Sequence, residues 1–486
     1  MSPSLVGVDV GTTAVKGLAI DEGGTVLARA QDSYPLYTPR PGWAEQDPEA
    51  WWQGTTSVLA QLKARAGRPR AIGLSGQMHG LVALDRFDRV LRPAILWNDQ
   101  RTGQEAAEIE RRIGLDRLIA LTGNRALPGF TAPKLLWLRQ HEPEHYAALA
   151  RVLLPKDYVR LRLCGEHATD VSDASGTLLL DVAARRWSDQ VLEALELPRA
   201  ALPRVLEGPA ESGLTADGVP VAAGAGDQAA GALGVGVDQP GPASVVLGTS
   251  GVVFSALAGF EADARARVHA FCHAVPATWH AMGVMLSAAG SLAWLRRAVA
   301  PELPYGELVS EAAAWPAGTE GLLFAPYLAG ERTPYADPDA RGAFAGLSIR
   351  HDRGALVRAV LEGVAFGLRD SLELVSELAG RPALGRVSGG GARNDLWLEI
   401  VASVLELPLQ RVAVDEGASF GAAILAGVAA GVWPDVHEAV RAAVKAGETI
   451  EPVPAWVEVY RDQGERYRAL YPALRSIVGG GTATLA

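Results

Sequence analysis

The chain has 486 residues, 49% hydrophobic and 21% charged, with a formal net charge of −10. That length carries two or three domains with sizeable cores, and the composition is globular rather than disordered. The negative balance argues against a non-specific hold on nucleic acid or on an acidic membrane, but not against phosphates gripped by local amides and a divalent cation.

Only two cysteines occur, Cys164 and Cys272, far apart in sequence. This excludes a disulfide framework or thiolate zinc cluster and fits a reducing compartment. The start of the chain has no basic segment and Asp9 interrupts its first apolar run, so no signal peptide is expected. The longest weakly charged stretch, 220–260, carries Asp227 and Asp238 and is broken by Gly and Pro, so no membrane span is expected either. The expected location is the cytoplasm.

Leu5 to Val10, Ala14 to Ile20 and Thr25 to Ala30 read as an antiparallel meander, with Asp21-Glu22-Gly23-Gly24 as the second turn. Such an opening differs from the βαβ start of a doubly wound nucleotide-binding fold. Pro48 to Lys63 and Gln104 to Ile113 read as helices, and Ala71 to Ser75 as a buried strand. Near residue 245 the pattern begins again: Val245-Val246-Leu247-Gly248-Thr249-Ser250-Gly251-Val252 resembles the segment Asp9 to Val15, with Val246 where the first copy has Asp9. Two such hairpins predict a duplicated domain with phosphate between the halves. The breaker cluster from Asp238 to Pro242 places the boundary, giving domains 1–243 and 244–486. The Gly-rich tail from Gly479 reads as frayed.

Four segments carry chemistry. In Asp9-Val10-Gly11-Thr12-Thr13, the glycine admits an anion close to the backbone, and the Thr12 and Thr13 hydroxyls and amides can bind phosphate oxygens. Asp9, just before the turn, is placed to hold Mg²⁺ directly or through water. An ordinary hydroxyl-bearing hairpin has the same look; the repeat at Gly248-Thr249-Ser250 favours phosphate. In Ser388 to Asn394, three glycines between a strand and a helix allow close approach to adenosine, or simply make a flexible turn. In Gly224-Ala225-Gly226-Asp227-Gln228, the aspartate suits a helix N-cap and equally a base at the edge of a cleft. Gly76-Gln77-Met78-His79-Gly80 joins an amide, a thioether and an imidazole at a strand end, as a small polyol would require; a turn with one satisfied histidine is the plain alternative.

Other patterns fail. There is no GxxxxGK[ST] loop, so this is not a P-loop enzyme. Ala229 breaks a dinucleotide fingerprint begun at Gly224, and Gln77 breaks a nucleophile elbow begun at Gly73. His269, Cys272, His273 and His280 have metal-binding side chains, but Pro276 and Ala277-Thr278-Trp279 predict a hairpin there rather than a helix presenting ligands.

Taken together, these segments resemble the FGGY family of carbohydrate kinases, from Val6 to about Tyr471. The most specific pieces are Gly76 to Gly80, Ile95 to Asp99, Pro128 to Lys134, Leu154 to Tyr158 and Tyr327 to Pro334. One family signature is intact from Gly129 to His141. A second, from Gly342 to Glu362, departs at Ala355, where a polar residue is usual and a weakened helix cap is expected.

The resemblance implies two actin-like (ribonuclease H-like) α/β ATPase domains around a central cleft, with sugar against the first and ATP against the second. It implies ATP as co-substrate, Mg²⁺, D-xylulose as acceptor, no nucleic-acid or membrane partner, and a homodimer. By matching motifs it makes Asp227 the catalytic base and Asp9 the catalytic carboxylate beside the metal. It makes Met78, His79 and Gln228 sugar ligands, and Thr12, Thr13, Lys16, Thr249, Gly390 and Asn394 the nucleotide-side residues. Rival readings are another pentulose, a polyol or an aldonate as substrate, and an actin-like ATPase with no sugar substrate. The GQMHG loop argues against a glycerol site, where an Arg-Glu pair is expected.

Overall fold

The apolar runs flanking Gly11 pair antiparallel as β1 (Ser4–Val10) and β2 (Ala14–Ile20), and β2 pairs with β3 (Val26–Ser33). Asp21 makes the second turn, its carboxylate accepting the amides of Gly23 and Thr25 at 2.9 and 2.8 Å. β4 (Pro69–Gly76) runs parallel to β1. The sheet continues through β6 (Pro220–Ala222) to β5 (Glu211–Leu214), and the short β7 (Ala225–Gly226) pairs with the end of β4. The computed structural model describes residues 4–478, so the tail from Gly479 lies outside the described residues.

The second half repeats this plan. β8 (Ala243–Leu247) and β9 (Gly251–Leu257) form its hairpin, with β12 (Gly385–Ser388) parallel to β8. β13 (Leu409–Val412) and β14 (Ala446–Ile450) extend one side, β11 (Trp279–Met285) and β10 (His269–Cys272) the other. The sheet orders are β5-β6-β4-β1-β2-β3 and β10-β11-β9-β8-β12-β13-β14. In both, the hairpin's second strand is antiparallel to its first, and the strand on the first one's other side is parallel to it. The duplication read from two Gly-Thr turns is therefore a property of whole sheets.

Helices fill the faces: α1 (Pro48–Ala66), α2 (Gly103–Ile113), α3 (Thr131–His141), α4 (Pro155–Cys164), α5 (Val171–Ser175), α6 (Asp227–Gly234), α7 (Arg353–Ala379), α8 (Asp395–Leu405), α9 (Gly417–Ala429) and α10 (Val436–Ala443). The helix expected to end at Lys63 runs on to Ala66, where Gly67 at φ +80° stops it. The hairpin expected around Pro276 is β10–β11. Its imidazoles pack on aromatic rings, His280 on Phe254 at 4.1 Å and His269 on Phe271 at 5.4 Å. The weakened cap expected at Ala355 is not found. Asp352 caps α7 by accepting the Ala355 amide at 3.0 Å, and the Ala355 methyl is buried, so only its backbone is needed.

The two halves do not keep to their own sequence segments. α9, from the second, lies on β1, β4 and α6 of the first at backbone distance. A Cβ on Gly7 would sit 1.8 Å from the Ser419 carbonyl, one on Gly73 1.9 Å from that of Ala422, and one on Gly421 1.8 Å from that of Ala230. Leu5, Ala71 and Ala229 share one core with Phe420, Ile424, Trp433 and Val440. Gly421→Val should therefore cost about 2–3 kcal/mol through forced backbone separation, read as a lower urea midpoint. An unchanged midpoint would show that the contact is not tight.

Candidate active site

β4 ends at Gly76, and the chain turns at once into Gln77, whose buried side chain ties two loops together. Its Nε2 donates to the Gly11 carbonyl at 3.2 Å and to Gln46 Oε1 at 3.1 Å, and its Oε1 accepts the Thr12 hydroxyl at 3.3 Å. Trp97 Nε1 donates to the same Thr12 Oγ1 at 3.0 Å. The first Gly-Thr turn is thus cross-linked to the GQMHG loop, and Thr12 is partly used in holding it. Thr13 stands exposed at the turn. Gln77 and Trp97 were visible only as members of longer motifs; their pairing with Thr12 spans 65 and 85 residues and leaves no local signal.

His79 sits in the left-handed region at φ 69°. Its backbone carbonyl accepts the Thr131 hydroxyl at 3.0 Å and Lys134 Nζ at 2.8 Å, both from α3. Its Nδ1 lies 2.6 Å from the Gly176 carbonyl, which can only accept, so Nδ1 carries the hydrogen and Nε2 presents a lone pair. Burial is the main cause that pushes the imidazole down to about 3, with Lys134 and Arg332 adding to it, so the ring is neutral. Met78 is buried; a Cβ on Gly226 would lie 3.0 Å from its Sδ and one on Gly176 2.9 Å from its Cε. The thioether therefore packs between the Asp227 turn and the loop under His79. Arg332, from the second half, is half-buried and has no ion-pair partner among the described residues. Sequence reasoning quoted its motif but gave it no role.

Asp227 and Asp9 meet through the sheet. Gly226 pairs with Gly76 and Gly76 with Val10, so the two aspartates lie at the ends of strands only two spacings apart, at about 4.8 Å per spacing. The N-cap expected at Asp227 is corrected: Gly226 is the N-cap, and Asp227 is the first residue of α6. Its carboxylate meets Gln228, the next residue of that turn. Burial first and the Asp9 charge second push Asp227 up to about 7. Burial also pushes Asp9 up to about 6, against the Ser75 hydroxyl first and then Lys16, which is opposite it in the β1–β2 register. Asp9 Oδ1 is buried without a hydrogen-bond partner among the described residues, and a carboxylate oxygen of that kind suits a cation. Gln228, half-buried, follows Asp227 on the same first turn.

In the second half, the Gly-Thr turn opens on a cavity of about 1020 Å³. Gly248, Thr249, Gly290, Gly390 and Asn394 line it, with Leu292, Ala293 and Val309 as an apolar wall. Gly389 takes φ +92° with its Cα against β8, where a Cβ would lie 2.8 Å from the Leu247 carbonyl carbon. Only glycine brings Gly390 to the cavity edge in this way. Asn394 both lines the cavity and caps α8, its Oδ1 accepting the Trp397 amide at 2.9 Å. The expected residues thus fall into two groups: Asp9, Thr12, Thr13, Lys16, Met78, His79, Asp227 and Gln228 in the first half, around the ends of β1, β4 and β7, and Thr249, Gly390 and Asn394 in the second, lining the cavity.

Models of the N-terminal and C-terminal domains of the FGGY family of carbohydrate kinases match residues 4–234 and 243–430. The chain belongs to that family. The xylulose kinase of Escherichia coli (strain K12) is 44% identical over 433 residues, 86% of this chain and 89% of that one. The xylulose kinase of Bacillus subtilis (strain 168) is 38% identical over 483 residues, 96% of each. The structure of a xyloylose kinase from Brucella ovis superposes with a TM-score of 0.90 at 43% identity, covering 98% of this chain and 100% of that one. The actin-like fold expected for an ATP-dependent carbohydrate kinase is the fold observed, and among the described residues no helix is long and apolar enough to cross a membrane.

In this kinase the raised Asp227 carboxyl lowers stability. Below about pH 4 both folded and unfolded states hold the proton, so there is no penalty; between 4 and 7 only the unfolded state releases it, and above 7 the penalty is complete. Asp227→Asn should therefore melt higher than wild type at pH 8, by roughly 1–4 kcal/mol equivalent, with the gain vanishing toward pH 4. A variant that melts lower at pH 8 would contradict this.

Proposed function

We propose that the enzyme transfers the γ-phosphoryl group of ATP to the primary hydroxyl of D-xylulose, giving D-xylulose 5-phosphate. What supports this reading is the nearness of Asp227 and Asp9 at neighbouring strand ends, with the neutral His79 on the loop that follows β4, together with the glycine-lined cavity of the second half. The names of the xylulose kinases reported above support the sugar.

Asp227 is the base. A carboxyl near pKa 7 takes a proton efficiently from a hydroxyl whose acidity rises as the phosphoryl bond forms. His79 Nε2 accepts a sugar hydroxyl, Gln228 supplies a second polar contact, and Met78 packs beside the carbon skeleton. Thr249, Gly390 and Asn394 hold the nucleotide in the cavity, and Thr12, Thr13 and Lys16 face its phosphates. The transferred group's charge lies mainly on its oxygens, so positioning and electrostatics carry most of the rate. Mg²⁺, when bound at Asp9, neutralises phosphate oxygens; the orphaned Asp9 Oδ1 suits it. Closure of the two halves would exclude water from the phosphoryl group. The reading includes a cytoplasmic location and a homodimer, the latter open to light scattering.

An aldonate is a second reading, favoured by Arg332, whose unpaired guanidinium lies near His79 and would meet a carboxylate. ADP release measured over ketopentoses, polyols and aldonates separates the two: D-xylulose should give the highest kcat/KM, and a preference for an aldonate would reassign the substrate. Sugar-independent ATP hydrolysis at the same rate would mean an ATPase without a sugar.

Asp227→Asn should keep ATP affinity, by calorimetry, while sugar-dependent turnover falls by about 10²–10⁴-fold. Near-normal turnover would remove the base assignment. In wild type, kcat/KM for the sugar should rise through about pH 7 and level off above it, because the base acts only when ionised.

A further inference from the structure

Five ionic side chains lie wholly buried in the first half: Lys156, Asp157, Arg160, Asp170 and Asp173. Lys156 Nζ reaches Asp157 Oδ1 and Asp170 Oδ2, each at 2.7 Å, and Asp173 Oδ2 at 3.0 Å. Burying so many charges is costly even when paired, and hydrophobic side chains of equal volume would serve packing as well or better. The contacts that leave the cluster are therefore informative.

Two of them end on the segment that delivers Asp227. Arg160 Nη2 donates to the Ala223 carbonyl. Ser172 Oγ donates to Asp170 Oδ1 at 2.5 Å and accepts the Gly226 amide at 3.1 Å. Gly226 is the residue immediately before Asp227, and its own Cα packs on Met78. Between these two anchors Gly224 takes φ +79°, with its Cα so close to β4 that a Cβ would lie 1.9 Å from the Leu74 carbonyl. Asp170 also caps α5, its Oδ1 accepting the amides of Ser172 at 2.8 Å and Asp173 at 3.1 Å. At the other end of α5, Gly176 accepts His79 Nδ1–H. One buried turn of helix thus touches the residue before the proposed base and the imidazole of the sugar loop.

We propose that Ser172 is a positioning residue for phosphoryl transfer: its hydroxyl, held by Asp170 and through it by the buried Lys156 ammonium, fixes the Gly226 amide and so the direction in which Asp227 leaves the strand. Ser172 is buried and touches no reactant; it acts through Gly226. The inference rests on the reading of Asp227 as the base.

The test compares Ser172→Ala, Ser172→Cys and Asp227→Asn with wild type, using ATP and D-xylulose at a temperature well below every variant's melting point. Loss of an acceptor that aims the base should lower kcat by about tenfold or more, since a misplacement of about 1 Å can cost roughly 10²-fold, while KM for ATP stays within about twofold of wild type. Ser172→Cys keeps the volume and offers only a weak acceptor, so it should show the same split; if the alanine variant does not fold, the cysteine variant decides. A kcat within about twofold of wild type in a folded variant, with only the melting temperature lowered, overturns the proposal. Near-normal turnover in Asp227→Asn removes the base reading and this inference with it. A collapse in Asp227→Asn alongside an unaffected Ser172 variant removes only the inference.

Discussion

The crossing of α6 and α9 is the contact on which the cleft depends. The Gly421 Cα packs on the Ala230 carbonyl, and that of Gly234 on the Gly417 carbonyl, so each helix lies on the other's backbone. Side chains as spacers would allow several crossing geometries; bare backbone allows few. α6 begins at Asp227, and α9 follows the loop whose Asp415 accepts the Gly389 amide at 3.2 Å. The same crossing therefore fixes the first half's carboxylates relative to the second half's glycine loop. In the proposed reaction the phosphoryl group passes between them and needs that fixed separation, because little of its chemistry is covalent work by the protein.

Electrostatics is arranged against stability at the same place. Asp9 and Asp227 stand close together in a desolvated site, and each is held above the usual carboxylate range. Such a pair persists because its surroundings fix it: Gln77 ties the Gly-Thr turn to the GQMHG loop, and Ser172 holds the Gly226 amide. Ser172 is held in turn by Asp170, one of three carboxylates around the buried Lys156 ammonium.

Much of this was legible in the chain. Period-two apolar runs and Gly-Thr turns marked both hairpins, and their repetition pointed to duplicated sheets, because turn chemistry is local. What stayed hidden depends on long-range pairing. The N-cap at Gly226 rather than Asp227 goes with β7 joining β4 at Gly76, a contact 150 residues away in sequence. The crossing of α9 into the first half is invisible to a boundary read from Pro and Gly at 238–242, since that cluster reports a chain break and not where later helices dock. The burial of Lys156 and Arg160 leaves no local signal, because nothing nearby in sequence shows that Asp170, Asp173 and Ala223 will close over them.

Duplication also accounts for the division of labour between the halves. In the first hairpin Asp9 stands opposite Lys16; in the second the equivalent partners are Val246 and Val252. Both turns keep the glycine and hydroxyls that suit a phosphate, but only the first keeps a carboxylate with an unpartnered oxygen. Val246 and Val252 instead join the apolar cluster containing Phe130 and Phe271, whose rings surround His79. That cluster is what desolvates the imidazole and keeps it neutral. Loss of charge in one copy therefore adds apolar surface to the cluster whose Phe130 and Phe271 rings flank His79.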